Sequence, residues 1–131
     1  ADHIAIVYQP PLKQTAEQIR EFLNERGFDA HRVEIPDAED GKDLQVAAYL
    51  WDVFGQIGMM RNDKVVSLGG GAATDLAGFA AATWMRGIGV VHVPPHLTSL
   101  DDCLAAADAA CYQAKQNGRN MIVVHQPKTA A

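Results

Sequence analysis

Short apolar runs alternate with helix-spaced apolar stripes along the chain, and this limits the available architectures more than any other feature. Ile4-Ala5-Ile6-Val7-Tyr8 is apolar at consecutive positions and stops before Pro10-Pro11, as a strand covered on both faces does. Leu12, Ala16, Ile19, Phe22 and Leu23 then fall on one helical stripe. Thr15 with Gln18 fits a capping box, and Gly27 stands where that helix should stop. A second strand over 30–35 ends at Pro36, and an acidic loop leads into a helix over about 43–57. A third strand, 64–68, meets Gly69-Gly70-Gly71 and an alanine-rich helix over 72–85. A fourth strand over 88–93 is stopped by Pro94-Pro95. Ser99 can cap a last helix with the stripe Leu100, Leu104, Ala107, Cys111 and Ala114, ended by Gly118, and a fifth strand over 121–124 precedes a tail at 125–131.

The order β-α-β-α-β-α-β-α-β with short connections predicts a single α/β domain over 1–131. Its sheet is five-stranded, mostly parallel and Rossmann- or flavodoxin-like. Strand order 2-1-3-4-5 is favoured, with 3-2-1-4-5 as the alternative. In the favoured order, right-handed crossovers put the first helix on one face and the other three on the opposite face. No helix follows the fifth strand, so strands three to five are expected to expose an apolar face. That predicts self-association or a strand-exchanged homodimer.

Composition narrows the function classes. The 131 residues are 48% apolar and 21% charged, which excludes a disordered chain. A net charge of −5 without basic runs argues against nucleic-acid or anionic-membrane partners. No apolar run is long enough to span a bilayer, and the first residues lack a basic-then-apolar leader, so cytoplasm is the expected location. Cys103 and Cys111 lie eight apart on one predicted helix, about 12 Å along its axis, and are expected to be free thiols. His92 and His96 are separated by two prolines and do not form a metal-ligand pair on a helix. No nucleophile, base and acid set emerges around Ser67 or Ser99.

Two segments could hold a ligand. A strand followed by Gly69, Gly70 and Gly71 and then a helix start brings free backbone amides close to an anion. It lacks both the Gly-x-Gly-x-x-Gly fingerprint and the P-loop lysine, and a simple tight turn explains it equally well. The acidic stretch from Glu34 to Asp43 follows the second strand at the same carboxyl edge, where a carboxylate can accept from ribose hydroxyls. On its own it reads more readily as a solvated loop that favours a helix N-terminus.

Three longer motifs carry a resemblance. They are Pro36-Asp-Ala-Glu39-Asp-Gly-Lys42, Leu68-Gly-Gly-Gly71-Ala-Ala-Thr-Asp75-Leu-Ala-Gly-Phe79, and Ala80-Ala-Ala-Thr-Trp-Met-Arg86-Gly87 with Val90-Val-His-Val-Pro94. Through about residue 93 the chain resembles the NAD-binding region of the dehydroquinate synthase family. That resemblance implies that Glu39 and Lys42 contact the NAD ribose region, and that Gly69, Gly70, Gly71 and Asp75 cradle the pyrophosphate and adjoining groups. After Pro94, Ala107-Asp108-Ala-Ala-Cys-Tyr112-Gln-Ala114-Lys115 and Gly118-Arg119-Asn120 resemble the end of a diguanylate cyclase (GGDEF) domain over residues 94–124. The metal ligands and substrate residues of the synthase, and the Gly-Gly-Asp-Glu-Phe motif of the cyclase, are missing from the 131 residues. The expectation is therefore an artificial recombined domain, not an enzyme, with no required cofactor. The alternative is a weak NAD- or phosphate-binding module.

Overall fold

β1 (His3–Tyr8) is buried along five consecutive residues, from Ile4 to Tyr8, because it runs through the middle of the sheet with helices on both sides. The structure, a computed structural model, describes residues 3–36, 44–60, 62–85, 87–93 and 122–124. After β1 come a 3-10 turn at Pro10–Leu12, α1 (Lys13–Glu25), β2 (Asp29–Glu34), α2 (Leu44–Ile57), β3 (Lys64–Leu68), α3 (Gly71–Thr83), β4 (Gly89–Val93) and β5 (Ile122–Val124). The strands form one sheet in the order β2-β1-β3-β4-β5, and every pairing is parallel. β1 pairs with both β2 and β3, so the favoured order holds and 3-2-1-4-5 does not.

Strand periodicity divides the side chains between two faces. Ile4, Ile6 and Tyr8 share one face with Val66, Leu68 and Val93, and pack on Ala16, Ile19 and Leu23 of α1. Ala5, Val7, Val65 and Val90 point the other way, into a cluster built with Leu50 and Phe54 of α2 and Leu76, Ala77 and Ala80 of α3. Burying such a side chain contributes about 1.5–3 kcal/mol. Val66, Leu68 and Val93 are buried, so the expected exposed apolar face does not extend over these three residues.

Two helix ends differ from the pattern reading. The Thr15–Gln18 capping box does not form: Thr15 lies inside α1, whose N-cap is Leu12 without a side-chain bond. The prolines explain this. Their fixed φ starts the 3-10 turn at Pro10, and α1 continues from it. Gly27 does end the helix, at φ +91°, with the Phe28 amide donating to the Leu23 carbonyl at 3.2 Å. α3 stops at Thr83, short of the expected residue 85, because Trp84 leaves the helix for the core. Its indole Nε1 donates to the Met59 carbonyl at 3.1 Å, and its ring stands edge-on to Phe54 at 6.0 Å. The expected helix over about 99–117 and the tail lie outside the described residues. Among those described, no helix is long and apolar enough to cross a membrane.

Candidate functional site

Parallel strands end together, so their carboxyl ends bring several loops to one edge of the sheet. In an open sheet, the place where neighbouring connections leave in opposite directions forms a crevice. Here that place lies between β1 and β3, since α1 covers one face and α2 and α3 cover the other.

The turn from β3 into α3 borders this crevice. Gly69 has φ +139°, a conformation that side-chain-bearing residues avoid. Gly70 is the N-cap of α3, in extended backbone at φ −88°, and no side chain caps the helix. The first helical bond runs from the Thr74 amide to the Gly70 carbonyl at 3.0 Å. The amides of the preceding turn have no intrahelical acceptor, which leaves them, with the positive end of the helix dipole, at the sheet edge. A Cβ placed on Gly70 would meet nothing within 4 Å among the described residues. Neither backbone angle nor internal packing demands a glycine there. Asp75 stands exposed in the second turn of α3.

Sequence reading named six positions. The structure brings Gly69, Gly70, Gly71 and Asp75 together at one helix start. Glu39 and Lys42 lie outside the described residues. The chain leading to them is placed: Pro10, Glu34, Ile35, Pro36, Val46 and Tyr49 line a cleft of about 380 Å³ at the carboxyl ends of β1 and β2. The Tyr8 hydroxyl donates to Glu34 Oε1 at 3.2 Å, and burial first, then the Glu34 carboxylate, push the phenol above its usual range.

Two polar side chains that the sequence showed without linking them come together here. Ser67 on β3 and His92 on β4 are directly paired in register. They share the face covered by α3, one residue before each strand ends. Ser67 is fully buried and His92 is 8% exposed. The Ser67 hydroxyl and His92 Nδ1 have no hydrogen-bond partner among the described residues. Burial pushes the imidazole below its ordinary value of 6.5, with Asp75 acting in the opposite direction. A serine and a histidine inside otherwise apolar strands were visible in the sequence, but their adjacency depends on the β3–β4 register. No group of three metal-ligating side chains exists among the described residues, and His96 lies outside them.

A family model described as 3-dehydroquinate synthase N-terminal matches residues 32–130. The chain belongs to the dehydroquinate synthase family. The 3-dehydroquinate synthase of Rhodococcus opacus is 57% identical over 125 residues, which cover 95% of this chain and 33% of that protein. That of Nocardia farcinica is 58% identical over 125 residues, with the same coverage of 95% and 33%. The chain thus spans about a third of the length of these curated relatives. Among solved structures, 2-deoxy-scyllo-inosose synthase in complex with carbaglucose-6-phosphate, NAD+ and Co2+ shares the fold. Its TM-score is 0.66 at 24% identity, covering 71% of this chain and 26% of that one. The 2-epi-5-epi-valiolone synthase of Streptomyces hygroscopicus, with NAD+ and Zn2+ bound, has a TM-score of 0.63 at 25% identity and the same coverage of 71% and 26%.

These matches overturn the expected junction. The family model continues to residue 130, and the alignments to the relatives cover 95% of the chain, so both pass through Pro94. The GGDEF-like segment over 94–124, and with it the artificial recombined domain lacking catalytic activity, are set aside: the chain matches one family, dehydroquinate synthase, on both sides of Pro94. The physical reason for the false resemblance is local. An alanine-rich helix, a glycine stop and a short strand make up half of any βαβ unit, so a short pattern of that kind recurs in unrelated folds.

Proposed function

We propose that this chain is the dinucleotide-holding part of a dehydroquinate synthase, and that it binds NAD weakly by itself at the carboxyl edge of the sheet. One observation carries the reading. The uncapped start of α3 presents backbone amides beside a glycine that neither its φ nor its described neighbours require. A residue without a side chain at that spot lets a phosphate approach the amides. Gly69, Gly70 and Gly71 would take the pyrophosphate, Asp75 an adjoining hydroxyl or amide, and Glu39 and Lys42 the ribose region. The names of the relatives and the NAD+ in the valiolone synthase structure support this choice of ligand.

Bound NAD would supply hydride exchange, while this chain's residues bind and orient it. Turnover is the work named for the relatives, of whose length this chain spans about a third. An open edge encloses little of a dinucleotide, so the expected affinity is roughly millimolar, about −4 kcal/mol.

The test is an NMR titration of NAD into the labelled chain. Saturable shifts at the Gly69, Gly70 and Gly71 amides, absent with nicotinamide alone and lost in Gly70→Val, are expected. Dispersed amide signals that stay still at millimolar NAD would overturn the reading.

A further inference from the structure

We propose that Glu34, held by the Tyr8 hydroxyl, reads the free 2′-hydroxyl of the adenosine ribose and makes this sheet edge selective for NAD over NADP; this rests on the dinucleotide reading of the glycine turn. Tyr8 and Glu34 are the last directly paired residues of the β1–β2 ladder. Paired residues point to the same face, and here the phenol donates to Glu34 Oε1 at 3.2 Å. Tyr8 is 4% exposed, with its ring in the core under α1, whereas Glu34 is exposed. A buried donor thus orients a carboxylate that a ligand can reach. Burial first, then the Glu34 charge, hold the phenol above its usual range, so it keeps its proton at neutral pH. Among the described residues Tyr8 is the one hydrogen-bond partner of this carboxylate, so lone pairs remain to accept from a ligand hydroxyl.

The position and the charges fit this role. Neighbouring strands lie about 4.8 Å apart, so the end of β2 stands about 10 Å from the end of β3, across β1. An adenosine whose phosphate sits at the start of α3 can reach that far. Glu34 also borders the 380 Å³ cleft, whose walls include Pro10, Ile35, Pro36, Val46 and Tyr49, apolar and aromatic surface that suits a flat base. NADP carries a phosphate in place of the 2′-hydroxyl. A carboxylate accepts from the hydroxyl and repels the phosphate. Two arginines, Arg20 and Arg32, line the β2 edge with Glu34. Both are engaged by Glu17: Arg32 Nε lies 2.8 Å from Glu17 Oε2, and Arg20 Nε donates to the same oxygen at 2.8 Å. Among the described residues, the cations that could balance a 2′-phosphate are thus already paired.

The experiment titrates NAD and NADP separately into the labelled wild type, Glu34→Gln and Tyr8→Phe, following the Gly69, Gly70 and Gly71 amides. The wild type should bind NAD about tenfold more tightly than NADP, the scale of one charge-assisted hydrogen bond. Glu34→Gln, an exposed substitution, should bring the two within about threefold, since it removes the charge that repels the phosphate. Tyr8→Phe keeps the buried ring and should narrow the preference part-way, whereas a merely structural tyrosine would weaken both dinucleotides alike. Equal binding of NAD and NADP by the wild type, or a preference that survives Glu34→Gln, would overturn the proposal. If neither dinucleotide moves the glycine amides, the dinucleotide reading falls by itself. AMP and adenosine 2′,5′-bisphosphate then decide the ribose role. Glu34 signals that move with AMP and not with the bisphosphate support it, and equal or absent responses overturn it.

Discussion

The two faces of the sheet part company at the carboxyl ends of the strands. Under α1, the central strands stay apolar to their ends with Tyr8, Leu68 and Val93, all buried. Under α2 and α3, Ala5, Val65 and Val90 begin an equally apolar face. That face then turns polar at Ser67 and His92, where two buried polar atoms have no partner among the described residues. An unpaired buried polar group costs about 1–3 kcal/mol. At the carboxyl ends, one face thus stays composed for stability, while the other gives up stability next to the helix start that borders the crevice. Such local departures from good packing chemistry concentrate at functional sites.

The largest expected effect tests the part the faces have in common. Phe54→Ala, in the α2–α3 cluster, should cost about 3–5 kcal/mol, and Ile6→Ala, under α1, about 2–5 kcal/mol. Denaturant melts check both, and a loss well under 1 kcal/mol for either would mean that its face is not a packed core. The next effect separates the faces. Ser67→Ala removes a fully buried, unpartnered hydroxyl without adding volume, so stability should hold or rise by about 1 kcal/mol. A clear loss in the same melts would mean that the hydroxyl is paired and that the contrast between faces is false.

The smallest effect is electrostatic. Burial lowers the His92 pKa below 6.5 in the folded chain, against the ordinary value once unfolded. Between those two values the unfolded state takes up a proton that the folded state does not, so stability falls as pH drops below 6.5 and is fully present above it. Thermal melts from pH 7.5 to 5.5 should show a shallower decline for His92→Gln than for the wild type. Parallel declines would show that His92 is not desolvated.

Much of the architecture was legible because it is written in local periods. The consecutive apolar run of Ile4 to Tyr8 marks a strand covered on both sides, and Ala16, Ile19 and Leu23 mark the face of α1 that meets the sheet. The glycine turn could be read as a helix start open to an anion from residues 69–71 alone. The helix ends were less legible: Trp84 leaves α3 for contacts with Met59 and Phe54, at sequence separations no local pattern contains. The false junction at Pro94 arose from the same limitation, since a short helix–turn–strand pattern says little about which longer chain it belongs to.

The sequence by itself determined the order of the described elements, the parallel character of the sheet and the glycine-led start of α3. Those properties follow from side-chain periodicity and backbone freedom at neighbouring residues. Only the tertiary structure decided that β1 lies between β2 and β3, that Ser67 sits beside His92, and that Gly78 brings α3 against that imidazole. Each of those depends on which distant strands pair and in what register, a choice made by burial of whole faces at once.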